Sequence, residues 1–124
     1  MANGRDALGL VAGTVIILSS GAHSLLGWPA LQGQLEAAGV ASDLQAGLAA
    51  GWHFGGAAML AFGVIVLGIF GRRSEPRPSR TPALVISILY IVFGAGALAI
   101  NRDLFFLMVF VIPGLLLAFA AINR

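Results

Sequence analysis

Four long apolar runs dominate the pattern of hydrophobic and polar positions along the chain. A helix needs about 20 apolar residues to cross a hydrocarbon core of about 30 Å, and each run is close to or above that length. The pattern predicts an all-α integral membrane protein whose four transmembrane helices form a compact bundle, a single domain over residues 1–124. The predicted spans are residues 7–26, 43–70, 82–100 and 104–122.

Residue types typical of helix ends mark the boundaries of these runs. Ser42 and Gln45 have the spacing of a capping box at the start of the second run. Thr81 precedes Pro82, which predicts an N-cap followed by proline at the first helical position of the third run. The fourth run contains Pro113 near its middle, so we expect a kink there.

The segment between the first two runs also has helical character. Pro29 suits the first turn of a helix and Gly39 suits its end. Leu31 and Leu35 would share one face of that helix, and Trp28 suits the level of the lipid headgroups. These features predict a short interfacial helix in the outer loop, lying over the outer end of the bundle.

The arginines divide the loops into two classes. All seven basic residues are arginine, and with four spans six of them fall on one side of the membrane. These six are Arg5, Arg72, Arg73, Arg77, Arg80 and Arg124, whereas Arg102 falls on the other side. Since basic loops stay inside, we predict a multi-pass protein of the cell inner (plasma) membrane. Both termini and the arginine-rich loop 71–80 would then be cytoplasmic.

A secretory signal peptide is the alternative interpretation of the first run. Arg5, the apolar stretch after it and the small residues Ser20, Gly21 and Ala22 resemble a signal with a cleavage site. The run is nevertheless long enough to remain in the membrane as an anchor. We therefore expect the first span to be retained.

Composition excludes several classes of protein. Hydrophobic residues make up 59% of the chain and charged residues 10%, which is too little charge to cover the surface of a soluble fold. The absence of cysteine excludes disulfides, cysteine-ligated zinc and iron–sulfur clusters. The net charge of +2 does not indicate nucleic-acid binding, because membrane topology already explains where the arginines lie.

Acidic side chains are missing from the interior of all four runs. The five acids, at the ends of runs or in loops, are Asp6, Glu36, Asp43, Glu75 and Asp103. Proton-coupled transport through a small bundle usually needs a buried ionisable carrier, which this pattern does not supply. The sequence also lacks GxSxG, HExxH and a phosphate-binding loop. It therefore favours a non-enzymatic role, without catalytic residues and without a metal site.

Glycines recur at spacings that allow helices to approach closely. Gly9 and Gly13 share a face of the first run, and Gly47, Gly51 and Gly55 form a GxxxGxxxG row in the second. Such faces pack within one bundle, against a second copy, or against another membrane protein. The favoured function is therefore a non-catalytic accessory or assembly subunit in the lipid bilayer. It would dock to itself as an oligomer, or to a larger membrane complex, through these faces.

His23 and His53 are candidate ligand-binding residues, because imidazole is the side chain here that titrates near neutral pH. At 1.5 Å per residue they lie at matching depth, near the outer ends of neighbouring antiparallel helices. The first alternative function is a bis-histidine b-type haem site, with Arg102 paired to a propionate. Another ligand at the same place, with Trp52 in the pocket wall, or purely structural histidines would also fit. An oligomeric small transporter or channel is the second alternative function.

Overall fold

Helices account for nearly all of the structure, a computed structural model that describes residues 4–72 and 76–122. Some 90% of the structure is helical, and the described residues contain no strand. The elements are α1 (Gly4–Ala22), a first π-helical turn (His23–Gly27), α2 (Trp28–Ala37), α3 (Ser42–Gly71), α4 (Thr81–Asn101), α5 (Leu104–Phe106), a second π-helical turn (Leu107–Val111) and α6 (Ile112–Ile122). Four continuous helical segments are long and apolar enough to cross a membrane, which confirms that part of the sequence prediction. They are Gly4–Ala37, Ser42–Gly71, Thr81–Asn101 and Leu104–Ile122.

The first of these segments runs without a break into the region predicted to be an interfacial helix. Gly27 has φ −68° and ψ −44°, and Trp28 has φ −62° and ψ −51°, so both residues keep helical backbone angles. α2 therefore continues from α1 through the first π-turn instead of forming a separate helix. Residues 28–37 are helical, and their place at the membrane surface stays a prediction.

A Schellman motif ends α2 at the glycine that the sequence assigns to this role. The Gly39 N–H donates to the Glu36 carbonyl and the Val40 N–H to the Leu35 carbonyl, both at 3.0 Å. Gly39 has a φ of 70°, a conformation in which a side chain would be strained. The chain thereby reverses within a few residues and starts α3 antiparallel to α1.

The capping box predicted at the start of α3 is not formed. α3 begins at Ser42, but its N-cap is Ala41, which has no side chain able to accept a hydrogen bond. The Gln45 side chain donates to the Val40 carbonyl at 2.8 Å instead of reaching back to a serine cap. The helix start was therefore predicted correctly, whereas the cap was wrong.

The start of α4 lies one residue before its predicted position. Arg80 is the N-cap instead of Thr81, so Pro82 occupies the second helical position. Proline is tolerated there because N–H groups of the first turn have no partner within the helix. The Thr81 N–H is satisfied by the Ser79 hydroxyl, which accepts it at 3.2 Å.

The irregularity expected at Pro113 takes the form of the second π-turn just before it. A proline ring clashes with the carbonyl four residues earlier, here that of Val109, and removes one helical hydrogen bond. The Ile112 N–H donates to the carbonyl of Leu107, five residues back, which is the π pattern. This wider turn accommodates the proline, whose own side chain is buried in the bundle.

α1 forms the centre of the bundle. It packs against α3 and α6, whereas α4 packs mainly against α6 and the second π-turn. Contact between α3 and α4 is slight, so these two helices can border an open space. The buried hydrophobic core consists of Ala12, Ile16, Val66, Phe70, Ala83, Ile86, Tyr90, Leu117, Ala120 and Ala121.

Arg80 connects all four long helices at one end of the bundle. From the start of α4, its Nη2 donates to Asp6 Oδ1 on α1 at 2.6 Å, and its Nη1 donates to the Ala120 carbonyl on α6 at 2.7 Å. Its guanidinium lies 5.1 Å from the ring centre of Phe70 on α3. The Ala120 carbonyl is near the C-terminus of α6, where the helix dipole favours a cation. We call this end of the bundle the Arg80 end.

Small residues allow α1 and α3 to approach closely. A Cβ built on Gly63 would lie 3.0 Å from the Gly13 carbonyl oxygen and 3.1 Å from the Ile17 nitrogen, which are backbone atoms that cannot move aside. Nearer the opposite end, the buried Ser20 hydroxyl donates to the Gly56 carbonyl at 2.8 Å. The interface is therefore close-packed, and a hydrogen bond between the two helices joins it at this point.

Candidate functional site

A cavity of about 520 Å³ lies at the end of the bundle opposite Arg80, which we call the cavity end. This volume is within the range typical of small-molecule sites. The cavity is bordered by α3 and α4 and by α1, α5 and the two π-turns. Its walls are Ser19, Ala22, His23, Leu26, Gly27, Trp52, Met59, Phe93, Phe105, Phe106, Val109 and Phe110. Among these residues, His23 is the one ionisable side chain, and Ser19 carries the other polar side chain apart from the Trp52 indole.

His23 and Trp52 form a paired unit in the wall of this cavity. The His23 Nε2 lies 3.1 Å from the Trp52 carbonyl oxygen, and the Trp52 Nε1–H donates to the His23 carbonyl at 2.7 Å. Their rings are stacked, with centroids 4.3 Å apart and planes within 4°. These reciprocal bonds fix both side chains and join the first π-turn to α3.

The hydrogen-bond partner determines the tautomer of His23. A carbonyl oxygen can only accept, so the contact with Trp52 requires the proton on Nε2. In the neutral ring Nδ1 is then the acceptor, and no described group bonds to it. The imidazole therefore carries an acceptor without a partner among the described residues, on a ring that its contacts with Trp52 hold in place in the cavity wall.

Glycines make room for this pair on both helices. A Cβ on Gly27 would lie 2.9 Å from the Trp52 ring, and a Cβ on Gly55 would lie 3.6 Å from His23 Nε2. A Cβ on Gly56 would overlap the Ser24 hydroxyl oxygen. Larger residues at Gly27 or Gly56 would push the indole or the π-turn away, so these glycines position the site.

Phenylalanines from α4, α5 and the second π-turn form the opposite wall. The Phe93 and Phe110 rings meet edge to face with centroids 5.0 Å apart, and the Phe106 and Phe110 rings lie 6.2 Å apart. Gly94 allows this approach, because a Cβ there would lie 2.7 Å from Phe110. Both π-turns of the described chain thus border the cavity, which is notable because π-turns occur frequently at functional sites.

The structure does not bring the two histidines to one site. His53 is exposed and absent from the cavity wall, with its ring centre 5.9 Å from that of Trp28. Trp28 in turn lies 6.2 Å from Trp52, on which His23 stacks, so each imidazole packs against a different indole. Because Trp52 covers one face of His23 and its carbonyl occupies Nε2, this arrangement does not present paired axial ligands for a haem.

Arg102, the predicted propionate partner, has a role at the end of α4. It has a φ of 55°, and its N–H donates to the Leu98 carbonyl at 2.8 Å, which closes the last helical turn. Its side chain is exposed and is not part of the cavity wall. The described residues also contain no group of three or more potential metal ligands.

The glycines singled out by spacing divide into two groups. Gly9 packs against the Phe70 ring, Gly13 against Leu67, and Gly55 against His23. A Cβ built on Gly47 or Gly51, in contrast, would have no described residue from elsewhere in the fold within 4 Å. The row in α3 therefore turns only its last member toward the first π-turn.

The face of α3 that packs on α1 follows a different spacing. Its residues alternate three and four positions apart and are Trp52, Gly56, Met59, Gly63, Val66 and Phe70. This alternation is the signal that could have identified Gly56 and Gly63 from the sequence. No comparable spacing in the sequence identifies the phenylalanines of the cavity wall, because the apolar runs place phenylalanines on every face of their helices.

The side chains of the cavity wall determine what the site can hold. An apolar, aromatic-walled space with one oriented nitrogen acceptor and one serine hydroxyl can hold a hydrophobic molecule and orient a single polar group on it. Comparison of the chain with protein-family models, with curated proteins and with solved structures found no match in any of the three.

Proposed function

We propose that this chain is an integral membrane protein that binds a hydrophobic ligand in the cavity between α3 and α4. The observation that carries the proposal is the His23–Trp52 pair, which is fixed by reciprocal hydrogen bonds in the wall of a mostly apolar 520 Å³ cavity. A wall of this kind excludes charged molecules and favours lipid-soluble ones. The slight contact between α3 and α4 supports entry from the side, directly from the bilayer.

The orientation that we propose places the Arg80 end in the cytoplasm and the cavity in the outer part of the membrane. His23 lies 17 residues after Asp6, and at 1.5 Å per residue this separation is about 26 Å. A bilayer core of about 30 Å would thus bring the cavity close to the outer boundary. α2 and the start of α3 would project to the outer surface, with α2 at the level of the headgroups.

This orientation predicts which introduced cysteines are accessible in intact cells. Because the chain has no native cysteine, single variants give an unambiguous signal. We expect Gly33→Cys in α2 to react with a membrane-impermeant maleimide and Ser79→Cys, beside the Arg80 end, to react only after the cells are opened. Labelling with the reverse pattern would show that the chain is inserted the other way round.

Filling the cavity should abolish ligand binding. Replacing Ser19 and Ala22 together with Phe puts two rings into the space, and we expect affinity for a decyl-anthracene probe to fall at least about tenfold, in line with the loss of apolar burial. The matched control is Ala57→Phe with Ala61→Phe, two exposed positions on α3 outside the cavity wall.

Energy transfer from tryptophan to the anthracene, in detergent micelles, measures the binding. The control pair should bind within about twofold of the wild type, since it adds the same rings elsewhere. If the wild type binds no better than the cavity-filled variant, the proposed function fails.

An accessory or assembly subunit is the second function that we propose, and one observation favours it. Gly47 and Gly51 present an open small-residue surface on the part of α3 nearest the outer side. The helical segments Gly4–Ala37 and Ser42–Gly71 are also much longer than the 21-residue and 19-residue segments that follow them. The two shorter segments therefore do not extend far enough to cover the Gly47–Gly51 surface of α3. A second copy of the chain or another membrane protein would contact this surface.

Substitution at the open row tests this second function. We expect Gly51→Leu to reduce the assembly mass in mild detergent, because the leucine prevents close approach of a partner helix. Gly68→Leu is the matched control, since Gly68 lies on the same helix and is equally open in the structure. If both variants keep the wild-type mass and the same co-purifying proteins, the Gly47–Gly51 surface has no docking role.

A further inference from the structure

We infer that the cavity takes a neutral aromatic alcohol, a ring with a hydroxyl group and a hydrophobic tail, and that this hydroxyl donates to Nδ1 of His23. The inference rests on the proposed binding function and specifies the class of ligand.

The polar groups of the His23–Trp52 pair leave one acceptor unused. The two N–H groups of the pair, Nε2 of His23 and Nε1 of Trp52, are both engaged with carbonyls. Nδ1 has no partner among the described residues, and on a neutral ring it can only accept. A ligand group that binds there must therefore donate a hydrogen bond, which excludes ketones, quinones, ethers and esters as the preferred head group.

Ser19 makes a hydroxyl the best match to this acceptor. It lies one helical turn before His23, on the same cavity wall, and its hydroxyl can donate to a ligand oxygen. A ligand hydroxyl would give its proton to Nδ1 and accept the proton of Ser19. An ammonium head could donate as well, but a charge is expensive in a cavity whose remaining walls are apolar.

The walls favour a ring next to the hydroxyl. Four phenylalanines and Trp52 surround the space, and aromatic rings gain from offset and edge-to-face contacts with another ring. An apolar cavity of about 150 Å³ already accommodates benzene. The 520 Å³ found here leaves room for the ring and for part of a chain that continues into the bilayer.

Three probes of nearly equal size separate the head group from the hydrophobic body. They are 4-decylphenol, its methyl ether 4-decylanisole, and decylbenzene, each used to displace the decyl-anthracene probe from the full-length protein in micelles. We expect the phenol to bind about tenfold more tightly than the ether, the effect of one well-placed hydrogen bond. Decylbenzene should bind about as weakly as the ether.

Two substitutions at His23 assign the preference to Nδ1. In His23→Gln the amide can still donate to the Trp52 carbonyl but has no group at the Nδ1 position, so the phenol advantage should fall below about threefold. In His23→Asn the amide oxygen replaces Nδ1, so the advantage should largely persist. The preference is measured as the ratio of phenol to decylbenzene affinity within each variant. Any general change that the substitution makes to the cavity wall then cancels, because decylbenzene does not use the acceptor.

A wild-type measurement provides the same information without a variant. In ¹⁵N NMR of the histidine rings, 4-decylphenol should shift the Nδ1 signal of His23 in the direction of an accepted hydrogen bond. The exposed His53 is the internal control and should not shift.

The outcomes distinguish the two proposals. If all three compounds displace the anthracene equally, the cavity binds hydrophobic molecules but the aromatic-alcohol assignment is overturned. A phenol preference that survives His23→Gln, together with an unshifted Nδ1 signal, would overturn the role of His23. If the anthracene itself does not bind, the proposed function has failed and the question of ligand class does not arise.

Discussion

Replacing Arg80 with alanine is expected to destabilise the bundle by about 3 kcal/mol, the effect of removing one partner from a mostly buried ion pair. The side chains of Arg80 and Asp6 are only 15% and 17% exposed, so water cannot replace the lost contact fully. The Ala120 carbonyl would lose its donor, and the Phe70 ring would lose its cation at the same time. Unfolding of the purified protein by a denaturing detergent, added to a fixed amount of mild detergent, measures the change.

Two further variants separate geometry from charge at this position. Arg80→Lys keeps the positive charge but lacks the planar fork that reaches two acceptors, so we expect it to lose about half as much stability. Arg72→Ala removes an exposed arginine from the same end and should change stability by less than about 0.5 kcal/mol. Equal losses for Arg80→Ala and Arg72→Ala would mean that the contacts of Arg80 do not hold the helices together.

A single methyl group at Gly63 is expected to cost about 3 kcal/mol, at the upper end of the range for overpacking a filled interior. The new Cβ would lie 2.5 Å from Ile17 Cγ1, and the Gly13 and Ile17 backbones behind it cannot shift without separating α1 from α3. Gly63→Ala should therefore lower stability in the same detergent titration, and Gly63→Leu should prevent the wild-type fold from forming.

Gly68→Ala is the matched control for this effect. Gly68 lies on the same helix, and no atom lies within 4 Å of the position that its new methyl group would take, so alanine should be neutral or stabilise the helix by up to about 1 kcal/mol. The two substitutions are chemically identical and are expected to differ in sign. Loss of stability in both variants would point to a general cost of altering glycines in α3, and not to close packing at Gly63.

The sequence predicted the elements of the fold well, because their determinants are local. An apolar run of sufficient length predicts a helix wherever it occurs, and Gly39 has a conformational role that is recognisable from its neighbours. The capping details were less predictable. Ser42 and Gln45 have the correct spacing for a capping box, yet the bond from Gln45 to Val40 replaces it.

The candidate site was only partly predictable, because it depends on how each helix is rotated. The GxxxGxxxG row suggested one face of α3, whereas the packed face is the one that contains Trp52, Gly56 and Gly63. His23 was recognised by its type and depth, but its pairing with Trp52 depends on that rotation. The cavity itself results from the separation of α3 and α4, which no local pattern in the sequence encodes.

The contacts of Arg80 have a consequence for how this molecule moves. Polar bonds to one guanidinium hold α1, α4 and α6 together at one end, with Phe70 of α3 packed on it, whereas at the other end α3 is tied to the first π-turn but has few contacts with α4. Thermal fluctuations should therefore be small at the Arg80 end and larger at the cavity end, where α3 and α4 can move apart. Such a hinge motion would admit a bulky ligand between α3 and α4 without breaking the contacts of Arg80.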